Sequence, residues 1–160
     1  MSAAFGHFRV GFVTGATPDK WARTWRERHA RDRLELVSLT EADQETRVRE
    51  GTLDMALVRL PVDREGLHLI ALYDELPVAV MGVEHLLTLA DEVTTADLAE
   101  EQLVIPERSG WRPAGDQLAW PPMSAREAIE VVAGGTGVAV VPMSIARLHH
   151  RRDVTYRVVT

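Results

Sequence analysis

The sequence predicts an α/β fold in which helices cover a parallel sheet. Residues 8–13 and 34–39 are runs of β-forming residues, and residues 54–58 form a nearly continuous apolar run, which is typical of a strand covered on both faces. Helical patterns separate these three runs. Strands and helices in the order βαβαβ with short connections favour parallel strands, because each connection must cross over the sheet.

Capping residues indicate where the two helices between these strands begin. Thr17 suits the N-cap of a first helix, which carries Trp21 and Trp25 on one stripe. The run Thr40-Glu41-Ala42-Asp43 resembles a capping box, so we expect a second helix to run from there to about Glu50. The tryptophan stripe has two interpretations: the rings pack on the sheet, or part of the stripe meets a partner.

The rest of the chain predicts further strands, two helices and a long loop. Helices are expected after Thr94 and after Ser124, which opens a second capping box. Residues 106–122 are rich in Pro, Gly and Trp and are interpreted as a loop. The expected strands cover residues 67–73, 76–81, 102–105, 138–141 and 154–159.

The four residues Gly134-Gly135-Thr136-Gly137 do not predict a nucleotide site. A phosphate-binding glycine loop runs from a strand into a helix, whereas this one runs from a helix into a strand. We interpret it as a helix C-cap followed by a tight turn.

The composition and the absence of known motifs argue against an enzyme, a bound cofactor and a membrane-spanning segment. The 160 residues include no cysteine, which excludes disulfides, thiolate nucleophiles and cysteine-bound zinc. No HExxH, GxSxG or GxxxxGK[ST] motif occurs, and His149-His150 has no further ligand at metal-binding spacing. The apolar runs are too short to cross a membrane. We therefore expect a cytoplasmic protein that is not an enzyme and has no cofactor.

Charge is distributed unevenly along the chain. The net charge is −6, and residues 62–145 hold 4 basic and 14 acidic side chains. Phosphate backbones bind to clustered basic residues, so this acidic stretch would repel nucleic acid. We do not expect these 160 residues alone to bind DNA.

Polar residues that follow the predicted strands are the candidate ligand-binding positions. In a parallel α/β sheet, ligands bind beyond the carboxyl ends of the strands. A threonine N-cap beside unpaired N–H groups, together with an arginine, would favour a carboxylate, although each threonine could equally only cap its helix. For Arg59 the alternative is a structural ion pair with Glu41 or Asp63. The candidates are Thr14, Thr17, Thr40, Glu41, Arg59, Pro106, Arg108 and Ser124.

Two stretches are specific enough to suggest a family. They are the glycine-aspartate step at Gly51–Asp54 and the Gly-Val-Ala-Val-Val-Pro run at residues 137–142. Together with residues 8–13 and 33–36, they resemble the effector-binding domain of LysR-type transcription regulators. The resemblance covers about residues 8–159.

The resemblance implies a fold like that of type 2 periplasmic binding proteins, in which crossing strands join two small α/β lobes and a small effector binds between them. It makes residues 6–160 one effector-binding domain. Lobe one is expected at about residues 6–77 plus 143–160, and a shortened lobe two at about 78–142. The family's helix-turn-helix, which would bind DNA, is not found in this sequence, and the family usually continues beyond Thr160 with a strand and a final helix.

The function that the resemblance implies is regulatory. We expect a domain that senses a small, carboxylate-bearing metabolite and forms a homodimer through its first helix. The alternative is a free-standing small-molecule carrier, or an enzyme adapted from the same fold. The identity of the effector is not carried over, because effectors vary widely across the family.

Overall fold

A three-stranded parallel sheet organises the first of two units in the structure, a computed structural model that describes residues 6–160. The units are Met1–Ala71 and Leu72–Thr160. The first unit contains β1 (His7–Val13), α1 (Asp19–Arg28), β2 (Arg33–Leu39), α2 (Thr46–Arg49) and β3 (Met55–Leu57).

The central strand β1 pairs in parallel with β2 and with β3, in the order β2-β1-β3. This confirms the predicted βαβαβ arrangement. The register places Val13, the last residue of β1, opposite Leu39, the last residue of β2. Because the strands are parallel, the residues that follow β1, β2 and β3 all emerge at the same edge of the sheet.

An arginine-aspartate pair ties β3 to β1. The backbone N–H of Arg9 donates to Asp54 Oδ2 at 2.8 Å, and the Arg9 guanidinium donates to both carboxylate oxygens of Asp54. These bonds hold the pKa of the Asp54 carboxyl below its ordinary value. Gly51, which ends α2 with a positive φ of 71°, contributes its carbonyl to the same guanidinium at 3.0 Å.

The second unit contains β4 (Pro77–Gly82), a 3₁₀ turn (Leu86–Leu89), β5 (Glu92–Val93), α3 (Thr95–Ala99), α4 (Ala125–Ala133), β6 (Ala139–Pro142), α5 (Met143–Leu148) and β7 (Val154–Val159). Its four strands form a mixed sheet in the order β5-β7-β4-β6. Strand β4 is antiparallel to β6 and β7, and β5 is parallel to β7. Helices α4 and α5 pack on this sheet, where Val78 and Val80 of β4 share a buried cluster with Ile129 and Ile145. Ala79 and Met81 of β4 belong to a second buried cluster, with Leu98 of α3.

The C-terminal strand lies in the second unit. Residues 143–160 are expected in lobe one, whereas β7 pairs with β4 from Val78 to Gly82 and with β5 at Glu92–Val93. Strand pairing therefore joins β7 to the second sheet. The lobe boundaries themselves stay a prediction.

Four local predictions are wrong. Residues 102–105 form no strand and make only an isolated parallel bridge, between Leu103 and Val138. Residues 67–73 form no strand, because they pair with no other strand in the described part of the chain. Thr17 is not an N-cap: α1 begins at Asp19, and Pro18 occupies the cap position without a side-chain bond. The helix expected from Thr40 to Glu50 is α-helical only at Thr46–Arg49. The bond from the Asp43 N–H to the Thr40 hydroxyl closes a turn instead of opening a helix.

The other turn and cap predictions are confirmed. Complete capping boxes open α3 at Thr94 and α4 at Ser124. Residues 106–122 contain no helix or strand, and Gly134 caps α4. None of the helices between residues 6 and 160 has the length and apolar character needed to cross a membrane.

We predict that the turn after α4 tolerates alanine at Gly135 but not at Gly137. Both glycines have positive φ, 90° and 64°, which costs an L-residue about 1–2 kcal/mol. A Cβ at Gly135 would meet open space, whereas one at Gly137 would overlap the backbone oxygen of Gln102. Gly137→Ala should therefore lower the free energy of unfolding in urea by about 2–5 kcal/mol. Equal losses in the two variants would contradict this packing.

Candidate functional site

Groups from three strand ends meet at one edge of the first sheet. Thr14 directly follows β1, while Glu41 and Arg59 lie two residues beyond the ends of β2 and β3. Arg59 Nη1 donates to Glu41 Oε1 at 2.7 Å, and Nη2 donates to the Thr14 carbonyl at 3.2 Å. We call Thr14, Glu41 and Arg59 the strand-end cluster.

A buried glutamine, which the sequence analysis missed, holds the backbone of Arg59. Gln44 is 1% exposed, its Nε2 donates to the Arg59 carbonyl at 2.8 Å, and its Oε1 accepts from the Arg59 N–H at 2.9 Å. An amide side chain can bracket a peptide group in this way because it both donates and accepts. Nothing in the polar run at residues 40–46 distinguishes Gln44 from its neighbours.

Thr14 fixes the strand ends relative to each other. Its backbone N–H and its hydroxyl both donate to the Leu39 carbonyl, at 3.0 and 3.1 Å. The end of β1 is therefore tied to the end of β2 at the point where Glu41 emerges. The Thr14 carbonyl remains oriented toward the Arg59 guanidinium.

The strand-end cluster contains a charge pair rather than a bare cation. The Arg59 side chain is 11% exposed and that of Glu41 is 28% exposed, so both ends of the pair are partly shielded from water. The ion pair with Glu41, which sequence analysis weighed as an alternative role for Arg59, is thus present. The cluster can donate hydrogen bonds through the guanidinium and accept them through the carboxylate. Among residues 6–160, no three His, Cys, Asp or Glu side chains are grouped so that they could hold a metal ion.

The two remaining first-unit candidates lie outside these contacts. Thr17 is exposed in the loop before α1. Thr40 is also exposed, and its hydroxyl donates to Asp43 Oδ2 at 2.8 Å while it accepts from the Asp43 N–H at 3.2 Å. The structure therefore assigns Thr40 a turn-capping role next to Glu41.

The three candidates in the second unit have different surroundings. Pro106 is buried, and Arg108 is exposed with a positive φ of 61°, unusual for a residue other than glycine. The Ser124 hydroxyl donates to Glu127 Oε2 at 2.8 Å as part of the capping box of α4. That bond gives Ser124 a structural role.

The chain is similar in sequence to known transcription regulators. It is 25% identical over 164 residues to the HTH-type transcriptional regulator AlsR of Bacillus subtilis, a match that covers 92% of this chain and 54% of AlsR. It is 37% identical over 92 residues to HcaR, the Hca operon transcriptional activator of Escherichia coli, covering 56% of this chain and 31% of HcaR. The chain thus spans about half or less of the length of these relatives, which are regulators and not enzymes.

Solved regulator structures share the fold. The effector-binding domain of BenM with its effector benzoate superposes with a TM-score of 0.76 at 19% identity, covering 98% of this chain and 78% of that one. The oxidized form of OxyR also gives a TM-score of 0.76 at 19% identity, with 96% and 80% coverage. This likeness confirms the predicted α/β fold of the periplasmic-binding-protein type.

The family model for the LysR substrate binding domain matches residues 3–160, which is almost the whole chain. The chain belongs to the LysR substrate-binding domain family.

Proposed function

We propose that the strand-end cluster is the effector site of this domain and that the effector is a small metabolite carrying a carboxylate. The observation that supports this most strongly is the convergence of Thr14, Glu41 and Arg59 from three parallel strand ends, where ligands of open α/β sheets bind. The benzoate effector of BenM, a carboxylate, is compatible with this chemistry. The whole protein, we propose, acts in the cytoplasm and couples effector binding to a DNA-binding helix-turn-helix.

A carboxylate at this site would have to share the Arg59 guanidinium with Glu41. Arginine carries five N–H donors in a planar fork, so one guanidinium can serve two carboxylates. A charge-assisted hydrogen bond contributes on the order of 1.5–3 kcal/mol, while Glu41 repels a second anion. Thr17 and Thr40 are further proposed contacts of this site. Pro106, Arg108 and Ser124 stay proposed ligand-binding residues within the second unit.

A thermal-shift screen of the chain against small organic acids tests the proposed function. A ligand at about 100 times its dissociation constant adds roughly 2.7 kcal/mol of stability. For a domain of this size, we expect the midpoint to rise by about 5–10 °C. The matching amides serve as controls, since they keep the shape of each acid but lack its charge. The carboxylate proposal fails if amides stabilise the chain as well as their acids do.

Substitutions in the ion pair test the site with the stabilising acid from that screen. Arg59→Met keeps much of the side chain's bulk and should weaken binding about tenfold or more. Glu41→Gln removes the competing charge and should tighten binding. Both changes disturb a partly buried pair and lower the midpoint, so affinity is measured by calorimetry on the folded protein. Arg49→Met, which breaks the pair between Arg49 and Asp63, is the control.

If Arg59→Met binds the acid as the natural chain does, Arg59 is scaffolding and the site assignment is wrong. A Glu41→Gln variant that binds more weakly would show that Glu41 itself positions or contacts the ligand. That result would contradict direct competition between two carboxylates.

We also propose that the domain forms a homodimer through α1. Trp25 is held in a stack between Phe8 of β1, at 4.9 Å between ring centroids, and His29, at 4.3 Å. Trp21 lies beside it and is 39% exposed. One ring therefore packs on the sheet, while the other remains available to a partner.

The charge around Trp21 favours an acidic partner surface. Exposed Arg23, Arg26 and Arg28 lie on the same helix, and tryptophan and arginine are enriched at protein interfaces. Residues 62–145 of a second copy, with 4 basic and 14 acidic side chains, offer the complementary charge.

We predict that Trp21→Ser weakens self-association about tenfold or more, because exposed tryptophans often carry much of the energy of an interface. Sedimentation equilibrium at low salt measures the dimer dissociation constant. Leu148→Ser, which changes an exposed apolar residue outside both α1 and residues 62–145, is the control. A natural chain that stays monomeric at high concentration would contradict the proposal, as would equal effects of the two substitutions.

A further inference from the structure

A cavity of about 300 Å³ lies within the second unit, between α3 and the loop at residues 110–114. Its size is at the lower end of small-molecule sites, roughly 300–1,000 Å³. None of its lining residues belongs to the strand-end cluster. The lining includes Thr95, Leu98, Leu103, Trp111, Arg112 and Pro113.

Most of this lining is apolar and firmly held. Leu98 and Leu103, each 2% exposed, belong to the hydrophobic core of the second sheet, and the partly buried Trp111 packs against that same core. The capping box at Thr94 fixes the start of α3. The backbone N–H of Trp111 donates to Ser109 Oγ at 3.1 Å, which fixes the loop beside its indole ring.

Arg112 is the one charged residue among those that line the cavity. Its side chain is exposed and forms no ion pair or hydrogen bond with another residue in the 6–160 range. This differs from Arg59, which is paired with Glu41. A guanidinium at an apolar cavity is suited to bind an anion through a charge-assisted hydrogen bond while the body of the ligand contacts the apolar lining.

We propose that this cavity binds a small monocarboxylate with an apolar body, such as a single ring, at a site separate from the strand-end cluster. The cavity is too small for a long acyl chain. One arginine supplies a single positive charge, which matches one carboxylate better than the higher charge of a phosphate group or a nucleotide. A lone carboxylate on an apolar body matches one arginine beside a mostly apolar lining.

Fluorine NMR of the chain labelled with 5-fluorotryptophan tests this proposal. The four tryptophans give four signals, and Trp111→Phe identifies the signal of Trp111. We expect benzoate to shift the Trp111 signal in a saturable way, with an apparent dissociation constant no weaker than about 10 mM. Benzamide, which has the same ring without the charge, should bind about tenfold more weakly or worse.

Two variants distinguish this cavity from the proposed effector site. Arg112→Gln should weaken the benzoate effect on Trp111 about tenfold, whereas Arg126→Gln, a change at an exposed arginine paired with Glu130, should not. Arg59→Met should leave the Trp111 response unchanged whether or not the strand-end cluster binds an effector. A Trp111 signal that does not move with benzoate overturns the proposal. It is also overturned if benzamide acts as strongly as benzoate, or if Arg112→Gln behaves like Arg126→Gln.

Discussion

The parallel pairing of β1 with both β2 and β3 is the constraint on which the candidate site depends. It brings the carboxyl ends of three strands to one edge of the sheet. Thr14, Glu41 and Arg59 therefore meet there, although 45 residues separate Thr14 from Arg59. The pairing is stabilised at that edge by the Thr14 bonds to Leu39, and further back along the strands by the Arg9–Asp54 pair. An antiparallel sheet would place alternate strand ends at opposite edges and would leave Arg59 without these partners.

The two arginines considered as anion-binding groups differ in their electrostatic setting. Arg59 is mostly buried, bonded to Glu41 and held through its backbone by Gln44. A carboxylate ligand at this position therefore displaces Glu41 from the guanidinium or shares the guanidinium with it. Such a site gains selectivity from geometry more than from net charge. Arg112 is exposed beside an apolar cavity, and it forms no ion pair with another of the described residues. The first setting favours a ligand that matches the strand-end groups, and the second favours any small apolar anion of suitable size.

Local signals in the sequence predicted much of the fold, whereas contacts between residues far apart in the sequence could not be predicted from it. The strands of the first sheet, the capping boxes at Thr94 and Ser124 and the glycine turn after α4 all depend on neighbouring residues, and all were found. Residues 67–73 have strand composition but no partner strand, and composition alone does not reveal pairing. Gln44 was missed because its role depends on Arg59, 15 residues away, and the polar run around it has no period that marks a buried position. The Arg59–Glu41 pair was named only as one of two alternatives, since sequence position at two strand ends does not fix which groups bond.

Hydrogen-deuterium exchange most directly tests whether the strand-end cluster is the effector site. The exchange of backbone amides is compared with and without the organic acid that stabilises the chain most. We expect exchange to slow most at residues 14–17, 40–44 and 58–60, beyond the uniform slowing that added stability gives to the core strands. Protection confined to the second unit, or no more than that uniform slowing at the three strand ends, would contradict the central claim.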